Sequence, residues 1–369
     1  MRRPILSVLL LAATALLSLP AAAADLRSQL SGWLALNDVR PSTPRLGLRW
    51  QPSLSLGHSL GNGWKLDGEI SLAASAALAA PGWGAVDAEG AVDPYRFWLR
   101  LAGERFEARL GLQKINFGSA TLFRPLMWFD RLDPRDPLQL SDGVWGLLLR
   151  GYFRGNATAW LWGLYGNDGT KGWETEPTAA RTPELGGRLQ VPLPAGEAAV
   201  TAHFRSVDAG AGQADESRFA LDGKWDVGVG LWAEASLARR QGRELPWQRA
   251  LAVGVDYTFT LGNGLYMLAE QFFAHDAPAL AGRGSGGLSL AALLARYPLG
   301  LLDSLNAIVY LDWRAGQVYS FAAWQRTTDH WQFHVMAFAN PRQPRLAQKA
   351  GSGASFAGRG FQLLAVWNL

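Results

Sequence analysis

Hydrophobic and polar residues alternate with a period of two along most of the chain after residue 44. Between residues 45 and 72, apolar side chains share one face of each segment, and charged or hydroxyl side chains share the other. This alternation is typical of a β-strand whose two faces meet different surroundings. The pattern returns between 95 and 112 and in further pairs of segments up to the C-terminus. The chain is therefore predicted to be all-β.

The connections between these segments alternate in length. Short turns have sequences such as GNG, RGN and LGNG, and they alternate with longer connections, among which RAG at 314–316 is one tight exception. Counting the segments between connections gives about 18 strands, with about 16 as the other even number, and puts both termini on the short-turn side. This arrangement predicts a transmembrane antiparallel up-and-down β-barrel with short periplasmic turns, long outer loops and a polar interior. The long connections are predicted at 38–44, 75–93, 116–143, 167–183, 206–216, 240–246, 274–286 and 341–356.

A soluble β-sandwich or propeller is the alternative all-β fold, because it would turn the apolar face of each strand inward. Two observations favour the membrane barrel. Four tryptophans lie beside predicted short turns, where the aromatic girdle of a barrel is found; these are Trp64, Trp225, Trp331 and Trp367. A propeller would also show an internal repeat of roughly 40 to 50 residues, which the sequence lacks.

The first 24 residues differ from the rest of the chain. Two arginines precede an apolar run from Ile5 to Leu19, and small residues then lead to Ala24. This is the pattern of a secretory signal peptide cleaved after Ala24. An uncleaved membrane anchor is disfavoured because the apolar run is shorter than the ~20 residues that a bilayer span needs. The mature chain, 25–369, is predicted to be a single barrel domain.

Charge and cysteine content exclude several classes of partner and site. The chain carries 35 Lys and Arg against 31 Asp and Glu, a formal net charge of +4, which falls to about +2 without the leader. This near balance gives no indication of nucleic-acid binding. The absence of cysteine excludes a disulfide framework, thiolate metal sites and a cysteine nucleophile.

The last predicted strand, GFQLLAVWNL, places five residues on one face: Phe361, Leu363, Ala365, Trp367 and Leu369. Here the chain resembles Gram-negative outer-membrane porins, whose final strand has this pattern and usually ends in an aromatic residue, whereas Leu369 ends this one. The stretches QKINFGSATLFRPLMWFDRLDPRDPLQLSDGVWG and WLWGLYGND are similar to stretches of largely uncharacterised porin-like outer-membrane proteins. The resemblance implies a location in the bacterial outer membrane, contact with its lipids and insertion by the barrel assembly machinery. Both a monomer and a homo-oligomer such as a trimer stay open.

The connection at 116–143 is long and rich in aromatic residues. Connections of this length are usually functional or disordered, and the aromatic content favours packing. Lipid cannot accept an irregular backbone. We therefore predict that this connection folds inward and narrows the lumen as a constriction loop, with a cap over the outer rim as the arrangement left open. Its candidate site residues are Arg124, Trp128, Asp130, Arg131, Asp133, Arg135 and Asp136.

Basic residues dominate the predicted inward faces of the first strands. The predicted pore-lining residues are Arg45, Arg49, Lys65, Arg96, Arg100, Arg105 and Arg109. A basic wall opposite an acidic loop would create a transverse field across a pore. Alternatively, the arginines pair with carboxylates and merely solvate a polar interior. Both interpretations stay open, because acids return on later strands at Glu184, Glu197, Asp222, Glu234, Asp256 and Glu270.

No metal, cofactor or catalytic residue is predicted. The aspartates of the 116–143 connection do not have EF-hand spacing, and each Asp-Pro pair also forms turns. His275 and Asp276 are the only His-Asp pair near the predicted outer rim, where a hydrolase dyad could lie.

The sequence therefore favours a porin that lets small hydrophilic solutes diffuse passively, with anions as a candidate class because of the basic wall. Two alternatives remain. One is a barrel that encloses an electron-transfer partner or an exported polymer, and the other is an outer-membrane hydrolase. The width of the lumen separates the first alternative from a porin.

Overall fold

The computed structural model describes residues 23–39, 42–131, 138, 140–210, 212–342 and 356–369. In this part of the chain, 18 strands form one sheet in which each strand pairs with its neighbours in sequence. The first strand, Ala23–Asn37, pairs with both the second, Arg45–Gly61, and the last, Arg359–Asn368, so the sheet closes on itself. The predicted closed antiparallel β-barrel and the count of 18 strands are confirmed.

The strands are β1 (Ala23–Asn37), β2 (Arg45–Gly61), β3 (Trp64–Ala79), β4 (Asp87–Ala102), β5 (Phe106–Gln113), β6 (Val144–Tyr152), β7 (Thr158–Tyr165), β8 (Pro183–Leu193), β9 (Gly196–Asp208), β10 (Gln213–Asp226), β11 (Gly230–Arg240), β12 (Trp247–Phe259), β13 (Leu265–Ala277), β14 (Ser285–Pro298), β15 (Asp303–Asp312), β16 (Gln317–Thr327), β17 (Trp331–Ala339) and β18 (Arg359–Asn368). The described helical structure is one 3₁₀ turn, Pro81–Trp83. Among the described residues, no helix is long and apolar enough to span a membrane. Residues 1–22 of the predicted signal peptide lie outside the described residues.

Short and long connections lie at opposite ends of the barrel, which we call the short-turn end and the long-loop end. The termini of the strand order lie at the short-turn end, as predicted. The short-turn end carries 62–63, 103–105, 153–157, 194–195, 227–229, 260–264, 299–302 and 328–330. The long-loop end carries 38–44, 80–86, 114–143, 166–182, 209–212, 241–246, 278–284, 313–316 and 340–358.

The predicted connection at 75–93 is mostly strand. The ladder between β3 and β4 continues from the pair Ala73 and Asp93 to the pair Ala79 and Asp87. The outer part of β4, from Asp87 to Pro94, is exposed on both faces. Its small and polar residues therefore show no alternation, because backbone pairing rather than burial of one face forms the hairpin there.

The outer face of the barrel is apolar. On neighbouring strands, Val200, Phe219 and Leu221 are 53%, 47% and 59% exposed, whereas Ala220 and Asp222, which point the other way, are buried. A continuous exposed apolar surface of this extent is typical of contact with lipid. At the short-turn end, Trp331 lies opposite Trp367 in the ladder, as an aromatic girdle requires.

The inner face differs from the predicted polar interior on one side of the barrel. From β13 to β17 the inward side chains are largely apolar, and they form one buried cluster with residues of the 114–143 connection. The cluster includes Leu268, Phe272, Leu290, Leu294, Tyr310, Tyr319, Phe321, Met336 and Phe338. Charged side chains concentrate on β3 to β12. The interior is thus divided into an apolar half and a charged half.

A charge placed on the outer face should cost folding energy if that face meets lipid. We expect Leu221→Arg, near the middle of β10, to destabilise the barrel in lipid bilayers, so that its free energy of unfolding falls by about 2–4 kcal/mol. The measurement is urea-dependent folding into vesicles, followed by the different migration of folded and boiled protein. Leu280→Arg, in the exposed connection 278–284, is the control and should fold like the native chain. Equal stability of the two variants would contradict a lipid-facing position for Leu221.

Candidate functional site

The connection at 114–143 is called the long loop below. Its residues 114–131 lie inside the barrel and cross it. It leaves β5, and its tip at 119–126 contacts side chains of β10, β11 and β13 on the far side of the sheet. The contacts join the backbone of the tip to wall carboxylates. This arrangement brings together parts of the chain more than 100 residues apart.

Glu270 of β13 is the main anchor of the tip. Its carboxylate accepts hydrogen bonds from the backbone amides of Thr121 at 2.9 Å, Leu122 at 3.2 Å and Phe123 at 2.7 Å. It also accepts one from Trp232 Nε1 at 3.0 Å. Glu270 is only 3% exposed. Hydrogen bonds to a charged acceptor contribute about 1.5–3 kcal/mol each, so this carboxylate fixes three successive residues of the tip.

Glu234 of β11 is the second anchor. Its carboxylate accepts hydrogen bonds from the backbone amides of Ala120, at 2.9 Å, and Leu126. Gly118 approaches the same carboxylate with a φ of 99°, and a Cβ there would clash with Glu234 Oε2. The loop therefore needs glycine at this position, both for its backbone conformation and for its distance from the wall.

Asp222 of β10 completes the set of anchors. It accepts a hydrogen bond from Ser119 Oγ at 3.0 Å and is paired with Arg188 through two bonds of 2.6 and 2.9 Å. Within the described part of the chain, Glu234 and Glu270 form no ion pair. The partial positive charge of the loop amides therefore takes the place of a counter-ion at these two carboxylates.

Aromatic side chains pack the loop against the wall on both sides of the tip. Phe123 stacks on Phe272 with ring centroids 5.4 Å apart and meets Tyr310 edge-on at 5.9 Å. On the other side, Phe117 stacks on Trp162 at 5.6 Å and meets Trp128 edge-on at 5.9 Å. Such pairs contribute about 0.5–1.5 kcal/mol each beyond area burial.

The connection at 166–182, called the second loop below, braces the long loop from the long-loop end. Trp173 Nε1 donates to the carbonyl oxygen of Phe123 at 2.7 Å, and the Gly172 amide donates to the carbonyl oxygen of Asp130 at 2.8 Å. Trp173 also stacks on Phe272 at 4.6 Å. The two loops therefore share one aromatic contact surface.

A buried ion network fixes the second loop to the wall. Glu216 of β10 meets Arg205 at 2.7 Å, Arg218 at 2.6 Å and Arg240 at 2.6 Å. Glu174 of the second loop meets Arg205 at 3.0 Å and Arg218 at 2.8 Å. Removing one member of a buried network typically costs about 3–5 kcal/mol, because a buried charge is left unpaired.

The candidate residues of the long loop have different surroundings. Trp128 is buried against Phe117, and Arg124 donates to Asn116 Oδ1. Asp130 is 1% exposed, and burial raises the pKa of its carboxyl, whereas burial lowers the pKa of the Arg124 guanidinium. Arg131 donates to Thr170 Oγ1 at 2.9 Å. Asp133, Arg135 and Asp136 lie outside the described residues.

Three predicted pore-lining residues lie on the inner wall of the charged half. Arg100 pairs with Asp67 at 2.7 Å and with Glu107 at 3.3 Å. Arg109 pairs with Glu107 at 3.1 Å and lies 4.6 Å from the ring centroid of Trp98. Arg49 lies 5.4 Å from the ring centroid of Trp33. Guanidinium groups held over aromatic faces keep their N–H edges available to other partners.

The other four predicted residues lie away from this group. Arg45 lies at the long-loop end of β2, and Lys65 is exposed next to the turn 62–63. Arg96 is buried, and its guanidinium donates to Ser141 Oγ at 2.9 Å. Arg105 is exposed in the turn 103–105.

Sequence reasoning missed several residues of this site. Arg150, which pairs with Glu107 at 3.5 Å and lies 4.0 Å from the ring centroid of Trp160, belongs to the basic wall. The acids at Asp222, Glu234 and Glu270 were noted, but not their role as anchors. For Glu234 and Glu270, the signal is an acidic residue at an inward position of a strand whose neighbouring inward residues are small or apolar.

The fold is that of outer-membrane porins. OccAB4 of Acinetobacter baumannii matches with a TM-score of 0.59 at 9% identity, over 94% of this chain and 98% of that one. OccK5 of Pseudomonas aeruginosa matches with a TM-score of 0.53 at 11% identity, over 94% and 97%. OmpT, a Vibrio cholerae outer membrane protein solved in a trimer form, matches with a TM-score of 0.52 at 12% identity, over 95% and 100%. No protein-family profile and no curated relative matches the chain.

Removing the charge of the main anchor should loosen the tip of the long loop. In Glu270→Gln we expect the amides of residues 121–123 to exchange with deuterium at least about tenfold faster, since charge-assisted bonds of about 1.5–3 kcal/mol are weakened. Hydrogen-deuterium exchange on the detergent-solubilised barrel measures this. Glu197→Gln is the control, because Glu197 accepts a hydrogen bond from Gln190 at 2.7 Å and forms none with the described residues of the long loop. Unchanged exchange in Glu270→Gln would show that the carboxylate does not hold the tip.

Proposed function

We propose that this protein is a porin of the bacterial outer membrane that lets small hydrophilic solutes diffuse passively and whose free cross-section is set by the long loop. The observation that carries this proposal is the fixation of the loop tip on Glu234 and Glu270, across the barrel from the strands that the loop joins. The barrel fold and its apolar outer face support the location in the outer membrane.

The basic wall supports a preference for anions. Arg100, Arg109 and Arg150 are opposed by two carboxylates, Asp67 and Glu107, so the group carries a net positive charge. Positive charge on the wall of a narrow passage raises the local concentration of anions and repels cations. Pairing and excess charge therefore coexist on this wall, and both interpretations of the arginines contribute to the proposal.

A sheath around a partner protein or polymer is the weaker candidate. Such a barrel needs a wide lumen, whereas here the packed aromatic rings of Phe117, Phe123 and Trp173 lie inside the barrel. The channel proposal also agrees with the porin fold, so a hydrolytic role is not proposed.

Several partners follow from the proposed location. We propose that residues 1–24 are a signal peptide removed on export, that the barrel assembly machinery inserts the mature chain among outer-membrane lipids, and that the protein forms a homo-oligomer. The trimer form of the Vibrio cholerae OmpT structure supports the last point.

Shortening the long loop tests its role in the passage. Replacing residues 120–140 with a short Gly-Ser linker should raise the single-channel conductance severalfold, because the part of this segment at 120–131 is removed from the lumen. The measurement is planar-bilayer recording in potassium chloride. The same linker in place of 80–86, an exposed connection at the long-loop end, is the control and should leave the conductance unchanged. If the 120–140 variant folds and conducts like the native protein, the long loop does not narrow the lumen.

Neutralising the wall tests the anion preference. In the triple variant Arg100→Gln, Arg109→Gln and Arg150→Gln, we expect the reversal potential in asymmetric potassium chloride to shift towards that of a cation-selective channel. A matched triple variant outside the wall combines Arg105→Gln and Arg154→Gln, both in exposed short turns, with Arg27→Gln. Selectivity that is equal in the two triple variants would refute a role of the wall in choosing ions.

A further inference from the structure

A cavity of about 330 Å³ lies at the long-loop end of the barrel interior. It is enclosed by the tip of the long loop, residues 171–175 of the second loop, and the inner wall from β10 to β14. A cavity of this size is in the range of sites that hold small organic molecules. Its place above the long loop means that a solute entering from the long-loop end meets it before the narrow part of the lumen.

Small side chains on the wall create this cavity. Ala238, Ala250, Ala274 and Gly287 line it, whereas Phe272, two residues before Ala274 on the same strand, fills the next layer of the interior. The long loop and the second loop contribute larger apolar groups, chiefly Met127, Trp128 and Trp173. The lining of the cavity is therefore largely apolar, with aromatic and aliphatic groups.

Two oppositely charged residues, Lys171 and Asp276, both line the cavity. Within the described residues, neither side chain forms an ion pair or hydrogen bond. The lining also contains His275, which precedes Asp276 on β13, and the pair Glu174 and Arg218, which are 2.8 Å apart; Arg218 also meets Glu216 at 2.6 Å. Lys171 and Asp276 are thus the charges available to a bound molecule.

Further polar groups lie beside this pair. Gln248 lies opposite Asp276 in the ladder between β12 and β13. Its Oε1 accepts a bond from Arg240 at 3.1 Å, which leaves its amide N–H groups to donate elsewhere. Ser236 also lines the cavity, with its hydroxyl group on the same inner wall.

We propose that this cavity binds a small zwitterion of the amino-acid class with an apolar side chain. The carboxylate of the ligand pairs with Lys171, its ammonium group pairs with Asp276, and its side chain packs against Trp173 and Met127. A simple anion would leave the Asp276 charge unmatched, and a simple cation would leave the Lys171 charge unmatched. Both are disfavoured, because an unpaired or like charge beside the ligand costs affinity.

Binding of one class of solute is a property additional to the passive diffusion proposed above. This inference rests on the proposed function only for the direction from which the ligand arrives. Binding at the long-loop end would concentrate one class of solute above the constriction. The binding itself can be measured on the folded barrel without any ion flow.

Three small molecules that share a phenyl group test the charge requirement. They are L-phenylalanine, 3-phenylpropionate, which lacks the ammonium group, and 2-phenylethylamine, which lacks the carboxylate. In calorimetric titrations of the full barrel in detergent, L-phenylalanine should bind at least tenfold more tightly than either of the others. Lys171→Gln and Asp276→Asn should each weaken L-phenylalanine at least tenfold. The controls Lys224→Gln and Asp329→Asn, at exposed positions outside the cavity, should bind like the native protein.

The inference is overturned if the native barrel does not bind L-phenylalanine at millimolar concentration. Equal affinity for the three probes, or native affinity in both cavity variants, would overturn it as well. Conductance of the same preparation in potassium chloride separates the two proposals. A barrel that conducts without binding refutes only the zwitterion site, and one that binds without conducting refutes only the porin function. Heat-modifiable migration of each variant shows that it is folded.

Discussion

The interior of this barrel depends on buried carboxylates of the wall that accept hydrogen bonds from the backbone of the long loop. Glu270 and Glu234 are buried, and each accepts hydrogen bonds from backbone amides at the tip of the long loop. A buried carboxylate without a counter-charge is costly, and an irregular loop with unpaired amides is costly too. Here the loop amides donate to the carboxylates, so both kinds of group have a hydrogen-bond partner. The aromatic packing on both sides of the tip and the bracing by the second loop then follow, because the fixed tip presents Phe117 and Phe123 to opposite parts of the wall.

This fixation divides the lumen into regions with different chemistry. The tip and the apolar face of β13 to β17 form one continuous packed region. The wall of β4 to β7 carries arginines over aromatic rings, as Arg109 lies over Trp98 and Arg150 over Trp160. A solute path in such a barrel is asymmetric, with a basic, hydrogen-bonding side and an apolar side. A uniform ring of charges would give no such asymmetry.

Much of the fold could be predicted from the sequence, because a strand between lipid and the lumen must alternate. The number of strands and the two ends of the barrel followed from alternation and from the lengths of the connections. The hairpin at 75–93 could not be predicted in this way, since its outer residues bury neither face. For the site, Arg100 and Arg109 were identified as inward residues, but Arg105 lies in a turn that alternation alone does not delimit. The role of Glu270 as an anchor depends on a contact with residue 121, 149 positions away, which no local pattern records.

The separation between the loop and its anchors also bears on the order in which the barrel is built. Ala120 and Glu234 are 114 residues apart, and Thr121 and Glu270 are 149 apart. The loop emerges after β5, but its anchors stand on β11 and β13, so it cannot reach its final position until those strands are paired. Closing such a long segment of chain is slow and entropically costly. Assembly therefore passes through a barrel whose lumen is still open, and the interior is completed only after most of the wall exists.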